Sequence, residues 1–132
     1  MKYSGSKWNI AGKLVELIPP HKNYVEPYFG SGAVLFNKPP SRIETINDLD
    51  SDVVNLFRCI REEPETMARL VMTTPYSREA YNDSFQGTPI TGIQPGDNRF
   101  RKACRFLTRM WQSYGSRNDG YKNGWKYDVS RE

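Results

Sequence analysis

The segment from Asn23 to Asn47 constrains the fold more than any other part of the chain. It opens on a strand candidate, residues 23–27, with Tyr24 and Val25 as strand formers. It turns at Gly30-Ser31-Gly32, enters the apolar run Ala33-Val34-Leu35-Phe36 and meets Pro39-Pro40. Glycine permits the sharp turn, and the proline pair ends any helix before it. A second strand pattern runs from Arg42 to Asn47 around Ile43, Thr45 and Ile46. Strand, helix and strand in that order predict a crossover unit with parallel strands. Two such strands are too few to stand alone, and the rest of the chain does not obviously supply the further strands that a full sheet wants.

Helical patterns surround this unit. Residues 8–18 place Ile10, Leu14, Leu17 and Ile18 at helical spacing before Pro19-Pro20. Ser51 or Asp52 is expected to cap a helix through Val53, Val54, Leu56, Phe57 and Ile60. Residues 65–72 and 77–85 are shorter helix candidates, and 87–96 read as a loop. Asp97 is expected to cap the clearest helix, which runs to about Tyr114. Its apolar stripe is Phe100, Ala103, Cys104, Leu107, Met110, Trp111 and Tyr114, with Arg101, Lys102, Arg105 and Arg109 largely off it. Residues 116–128 read as a loop or hairpin.

Charge is uneven along the 132 residues. Residues 1–66 hold 8 Lys/Arg against 9 Asp/Glu, and residues 67–132 hold 11 against 6. A polyanion partner for the second half follows. The chain has no apolar run of membrane-spanning length and no signal-peptide core, so a cytoplasmic location without membrane attachment is expected. Cys59 and Cys104 fall in helix-like segments and read as buried, reduced thiols. With His21 as the single histidine, neither a zinc cluster nor a histidine triad can be assembled.

The glycine turn could be an ordinary tight turn, but two neighbours point to a ligand. Asp48 ends the second strand 18 residues after Gly30, where an acidic residue meets ribose hydroxyls in nucleotide-binding folds. Glu26 and Pro27 sit at the end of the first strand, where ligands gather in open parallel sheets. Leu35 stands where a dinucleotide site wants a third glycine or alanine, so a nucleoside-type ligand fits better. At the N-terminus, Lys2-Tyr3-Ser4-Gly5-Ser6-Lys7 offers an aromatic for a purine, a glycine for close approach and an ammonium for a carboxylate.

These pieces share their order and spacing with one family. Lys-Tyr-x-Gly-x-Lys at residues 2–7, Val-Glu-Pro-Tyr-Phe-Gly-Ser-Gly-Ala at 25–33 and Asn-Asp at 47–48 resemble the Dam-type DNA adenine-N6 methyltransferases. The resemblance implies an α/β chain carrying an incomplete Rossmann-like S-adenosylmethionine-dependent methyltransferase fold with a helical target-recognition segment. Residues 1–62 would be the cofactor-binding part and 63–132 the basic recognition part. Tyr3, Ser4, Gly5, Lys7, Glu26, Pro27, Tyr28, Phe29, Gly30, Gly32 and Asp48 would bind S-adenosylmethionine. Lys2, Arg101, Arg105, Arg109, Arg117, Asn118 and Lys122 would face double-stranded DNA. A bacterial, phage or prophage origin would suit such an enzyme.

The family's Asp/Asn-Pro-Pro-aromatic motif, which holds a flipped-out adenine, does not occur in these 132 residues. Ile18 and His21 flank one proline pair, and Lys38 and Ser41 the other. The expectation is therefore the N-terminal part of such an enzyme, able to bind cofactor but not to transfer methyl groups alone. Further partners would be the complementary C-terminal half or a second copy of the chain. A DNA-binding remnant with a lapsed cofactor site and an unrelated nucleotide-binding enzyme are the competing readings.

Overall fold

The computed structural model describes residues 3–86, 98–115 and 122–126. The fold mixes helices with a small parallel sheet. Strand β1 (Asn23–Glu26) pairs with β2 (Ile43–Ile46) in parallel, in the register Asn23 to Ile43 through Glu26 to Ile46. Among the described residues these two strands form the whole sheet, and Val25, Ile43 and Ile46 stay exposed on it. The parallel pairing follows the sequence pattern. The connection between the strands does not.

The expected helix after the glycine turn is a single 3₁₀ turn, Leu35–Asn37. Pro39 disfavours helical backbone at Lys38, which is extended, and Gly32 lies at φ +69°. The helical stretch is squeezed between these two points. The expected helix over residues 8–18 is likewise a 3₁₀ turn, Trp8–Ile10, followed by the short helix α1 (Ala11–Glu16). Its apolar stripe is mostly uncovered, with Ile10 and Leu17 exposed.

Helix α2 (Ser51–Glu62) is capped by Asp50, whose carboxylate accepts from the Asp52 N–H. All three residues of the run Asp50-Ser51-Asp52 are of types that cap helices. Asp50 takes the role because its backbone is extended, as the N-cap position requires. Asp52 then lies in the first turn, where the helix dipole favours a negative charge. Pro64 begins α3 (Pro64–Thr73) at a position where its missing N–H costs nothing. Helices α4 (Arg78–Gln86) and α5 (Asn98–Gln112) complete the described elements. The loop expected at 87–96 and the cap expected at Asp97 lie outside the described residues. Beyond α5, Ser113 forms an antiparallel bridge with Trp125, which places residues 113–114 and 124–126 side by side.

The core is built on α5. Phe100, Ala103, Cys104, Phe106 and Met110 pack with Val53, Leu56 and Cys59 of α2 and with Met67 and Leu70 of α3. Phe106 belongs to this core although it lies off the expected stripe, while Trp111 and Tyr114 are exposed. Helix α5 is covered by α2 on one side and by α4 on another, so its buried arc is wider than one stripe. Phe29 joins the glycine turn to the same core, with its ring edge-to-face against Phe57 at 4.7 Å. Cys59 and Cys104 are both buried thiols, and burial pushes the Cys104 thiol above its ordinary range. Among the described residues no helix is long and apolar enough to cross a membrane.

Candidate functional site

The carboxyl ends of β1 and β2 lead directly into two loops that meet. The Phe29 N–H donates to the Asn47 carbonyl, and the Asn47 N–H to the Glu26 carbonyl. This continues the ladder past the strands and brings Gly30 beside Asp48. The Gly30 N–H then donates to Asp48 Oδ2 at 2.7 Å, and the Asp50 N–H donates to Asp48 Oδ1 at 2.9 Å. A carboxylate offers about four acceptor positions, so two remain for hydroxyl donors from a ligand.

The N-terminal segment closes over this junction. Ser6 and Ser31 share a hydrogen bond between hydroxyls at 2.8 Å. The Tyr3 ring lies over Gly30, where a Cβ would stand 3.2 Å from Cε1 of the ring. Lys7 Nζ donates to the Gly5 carbonyl, which folds the segment on itself and leaves the ammonium two further protons to donate. Together these parts line a half-open cavity of about 480 Å³, within the range of small-molecule sites, roughly 300–1,000 Å³.

Most of the residues singled out for a cofactor come together here. Tyr3, Ser4, Gly5, Lys7, Glu26, Tyr28, Phe29, Gly30 and Asp48 all line the cavity. Tyr28 is 81% exposed, which leaves a ring face open for stacking. Pro27 and Gly32 are not part of the lining. Gly32 is buried behind the wall, where an added Cβ would fall 2.6 Å from both Phe29 and Phe36. Its glycine serves packing of the turn, whereas Gly30 faces the cavity. Ser6 and Ser31 are residues that sequence reasoning missed. Their hydroxyls carry no signal until the fold places them 2.8 Å apart.

Glu26 is held by the Tyr24 hydroxyl, which donates to Oε2 at 3.0 Å. Burial raises the Glu26 carboxyl above its usual range, against the pull of the Tyr24 hydrogen bond, the Leu35 amide and Lys38. Burial and the carboxylate beside it push the Tyr24 phenol up to about 12. A raised folded-state pKa means that the fold disfavours the charged carboxylate. Its effect on stability therefore worsens as pH rises from the ordinary carboxylate value through the folded-state value. Glu26→Gln is expected to raise the melting temperature at neutral pH, and the gain should shrink toward zero below about pH 4. Thermal denaturation followed by circular dichroism at several pH values reads this directly. A gain that grows on acidification would contradict it.

The basic residues are distributed differently from the expected stripe. Arg109 turns inward: Nη2 meets Asp52 Oδ2 at 3.1 Å, and Nη1 donates to the Ser84 carbonyl at 2.7 Å. Burial lowers its pKa, and Asp52 opposes that shift. Arg101 and Arg105 are half-buried on α5. Lys102 pairs with Asp52 at 3.0 Å, and Arg99 with Glu62 at 2.8 Å. Lys122 is exposed, with Nζ 5.9 Å from the Phe85 ring centroid. Lys2, Arg117 and Asn118 lie outside the described residues. Among the described residues no group of three or more His, Cys, Asp or Glu side chains could hold a metal ion.

The chain is similar in sequence to known DNA adenine methyltransferases. The model of the D12 class N6 adenine-specific DNA methyltransferase family matches residues 3–122. A Type II methyltransferase of Lactococcus lactis subsp. cremoris is 32% identical over 79 residues, covering 59% of this chain and 27% of that protein. A DNA N-6-adenine-methyltransferase of Escherichia phage P1 is 26% identical over 69 residues, covering 52% of this chain and 9% of that protein. A DNA adenine methylase of Vibrio cholerae is 26% identical over 65 residues, covering 49% of this chain and 23% of that protein. The matched segments thus span about a quarter or less of these relatives.

Proposed function

As the chain belongs to the D12 class N6 adenine-specific DNA methyltransferases, we propose that its 480 Å³ cavity is the S-adenosylmethionine site of such an enzyme. The observation that carries this reading is the junction of three sequence-distant parts, Tyr3 to Lys7, Gly30 and Asp48, around one cavity. The remaining acceptor positions of Asp48 suit the paired ribose hydroxyls. Lys7 suits the carboxylate of the methionine part, and the rings of Tyr3 and Tyr28 suit the adenine. When bound, the cofactor supplies an electrophilic methyl group. The chain's own residues bind and orient it, with Gly30 allowing close approach of the backbone.

On this reading residues 1–62 are the cofactor half of an incomplete Rossmann-like fold. Residues 63–132 belong to a helical recognition segment for double-stranded DNA, with Arg101, Arg105 and Lys122 as candidate phosphate contacts. Arg109 is committed to Asp52 and Ser84 and is assigned no DNA contact. Adenine-N6 methylation is the reaction of the whole enzyme. Transfer itself requires an adenine-holding motif that these 132 residues do not contain.

Equilibrium dialysis with S-adenosylmethionine and with NAD tests the cofactor assignment. Retention of S-adenosylmethionine in preference to NAD is expected, together with no labelled methyl transfer from it to adenine-containing DNA by the purified chain. Preference for NAD would overturn the assignment in favour of a dinucleotide site.

A further inference from the structure

A continuous run of contacts leaves the glycine turn and ends on α5. The Gly30 N–H donates to Asp48, and the Asp50 N–H donates to the other oxygen of the same carboxylate. Asp50 Oδ1 in turn accepts from the Asp52 N–H at 2.9 Å. The Asp52 carboxylate then leaves α2 and meets two cations of α5, Arg109 at 3.1 Å and Lys102 at 3.0 Å. Arg109 is anchored a second time by the Ser84 carbonyl of α4.

The spacing makes this run possible. Asp48, Asp50 and Asp52 each follow the last by two residues, and the first two side chains each accept from the amide two residues on. Such local carboxylate-to-amide bonds fix a turn. Three carboxylates so close together repel one another, and Arg109 and Lys102 offset that repulsion from the far side. The side chains of Arg109 and Asp52 are only 21% and 24% exposed, so salt screens this pair less than a surface pair.

We propose that Asp52 and Arg109 are positioning residues for the cofactor turn. Their ion pair fixes the first turn of α2. Through Asp50 it fixes Asp48, and through Asp48 it holds the Gly30 amide in the cavity wall. The consequence for S-adenosylmethionine rests on the reading of that cavity given above, while the relay itself rests on the contacts alone.

Amide hydrogen exchange measured by NMR on the full 132-residue chain without cofactor tests the relay. Exchange reports local opening residue by residue. Asp52→Asn and Arg109→Gln are each expected to speed exchange at Gly30 about fivefold, the equilibrium effect of one net hydrogen bond. The Met67 amide of α3, which donates to the Glu63 carbonyl away from the relay, should keep its rate. Arg109→Lys keeps a cation beside Asp52 and should restore most of the lost protection. Asp52→Asn keeps the side chain's size, so it carries the test if Arg109→Gln fails to fold. An unchanged Gly30 amide in a folded variant would overturn the proposal, as would equal acceleration at Gly30 and Met67. Failure of the wild-type chain to bind S-adenosylmethionine would sink the cofactor reading and leave the exchange result to decide the relay.

Discussion

Gly32→Ala is expected to destabilise the chain by about 3 kcal/mol or more, from roughly 1–2 for a non-glycine residue in left-handed backbone and 1–3 for overpacking. Gly32 sits at φ +69°, and its Cβ would enter the rings of Phe29 and Phe36 at 2.6 Å. Phe29 cannot retreat easily, because its other side is packed against Phe57 in the core. Gly30→Ala makes a sharp contrast. Its φ of +51° carries similar backbone strain, but the nearest atom is 3.2 Å away on the half-buried Tyr3 ring. The ring need give only a few tenths of an ångström, so a loss of roughly 1–2 kcal/mol is expected, mostly from the backbone. Urea denaturation of both variants reads the difference as a shift in midpoint. Equal midpoints would contradict the division into a packing glycine and a cavity glycine.

The second large effect is expected at Asp48. Asp48→Ala leaves the Gly30 and Asp50 amides without the carboxylate that now receives them. Hydrogen bonds to a charged acceptor contribute about 1.5–3 kcal/mol each, and partial solvent access reduces that here. A combined loss of about 2–3 kcal/mol is expected in denaturant midpoints. Asp48→Asn keeps one acceptor oxygen and should lose about half as much. If Asp48→Ala proves as stable as the wild type, the two loops are held by other forces.

Much of this architecture is legible in the residues themselves. Tyr24-Val25 and Ile43 to Ile46 are short strand-forming runs, and the proline pair between them punctuates the connection. What lies between them is harder to read. A four-residue apolar run before proline looks the same whether it forms an α-helix or one 3₁₀ turn, and backbone restriction at Lys38 decides it. The broad face of α5 has a similar cause. Periodicity picks out Phe100, Ala103, Cys104, Leu107 and Met110, but Phe106 is buried as well, in the core cluster it shares with α2 and α3.

The site divides in the same way. Gly30, Asp48 and the Tyr3 to Lys7 segment are recognisable from residue type, spacing and family resemblance, and the fold gathers them around one cavity. Arg109 is different. It reads as a surface cation from its place on the helix, yet its partner Asp52 is 57 residues away in sequence. A pairing across that distance depends on how α5 lies against α2, which no local pattern encodes. The cap of α2 shows the same limit at short range, since Asp50, Ser51 and Asp52 are all capable and backbone conformation chooses Asp50.

The central claim, a cofactor cavity closed by Asp48 and the N-terminal segment, is tested most directly by calorimetric titration of S-adenosylmethionine into the 132-residue chain and its Asp48→Asn variant. Saturable one-to-one binding is expected for the wild type. The variant, folded by the control of its circular dichroism, should bind at least about tenfold more weakly, a difference of 1.4 kcal/mol. Absence of binding to the folded wild-type chain, or equal affinity in the two, would contradict it.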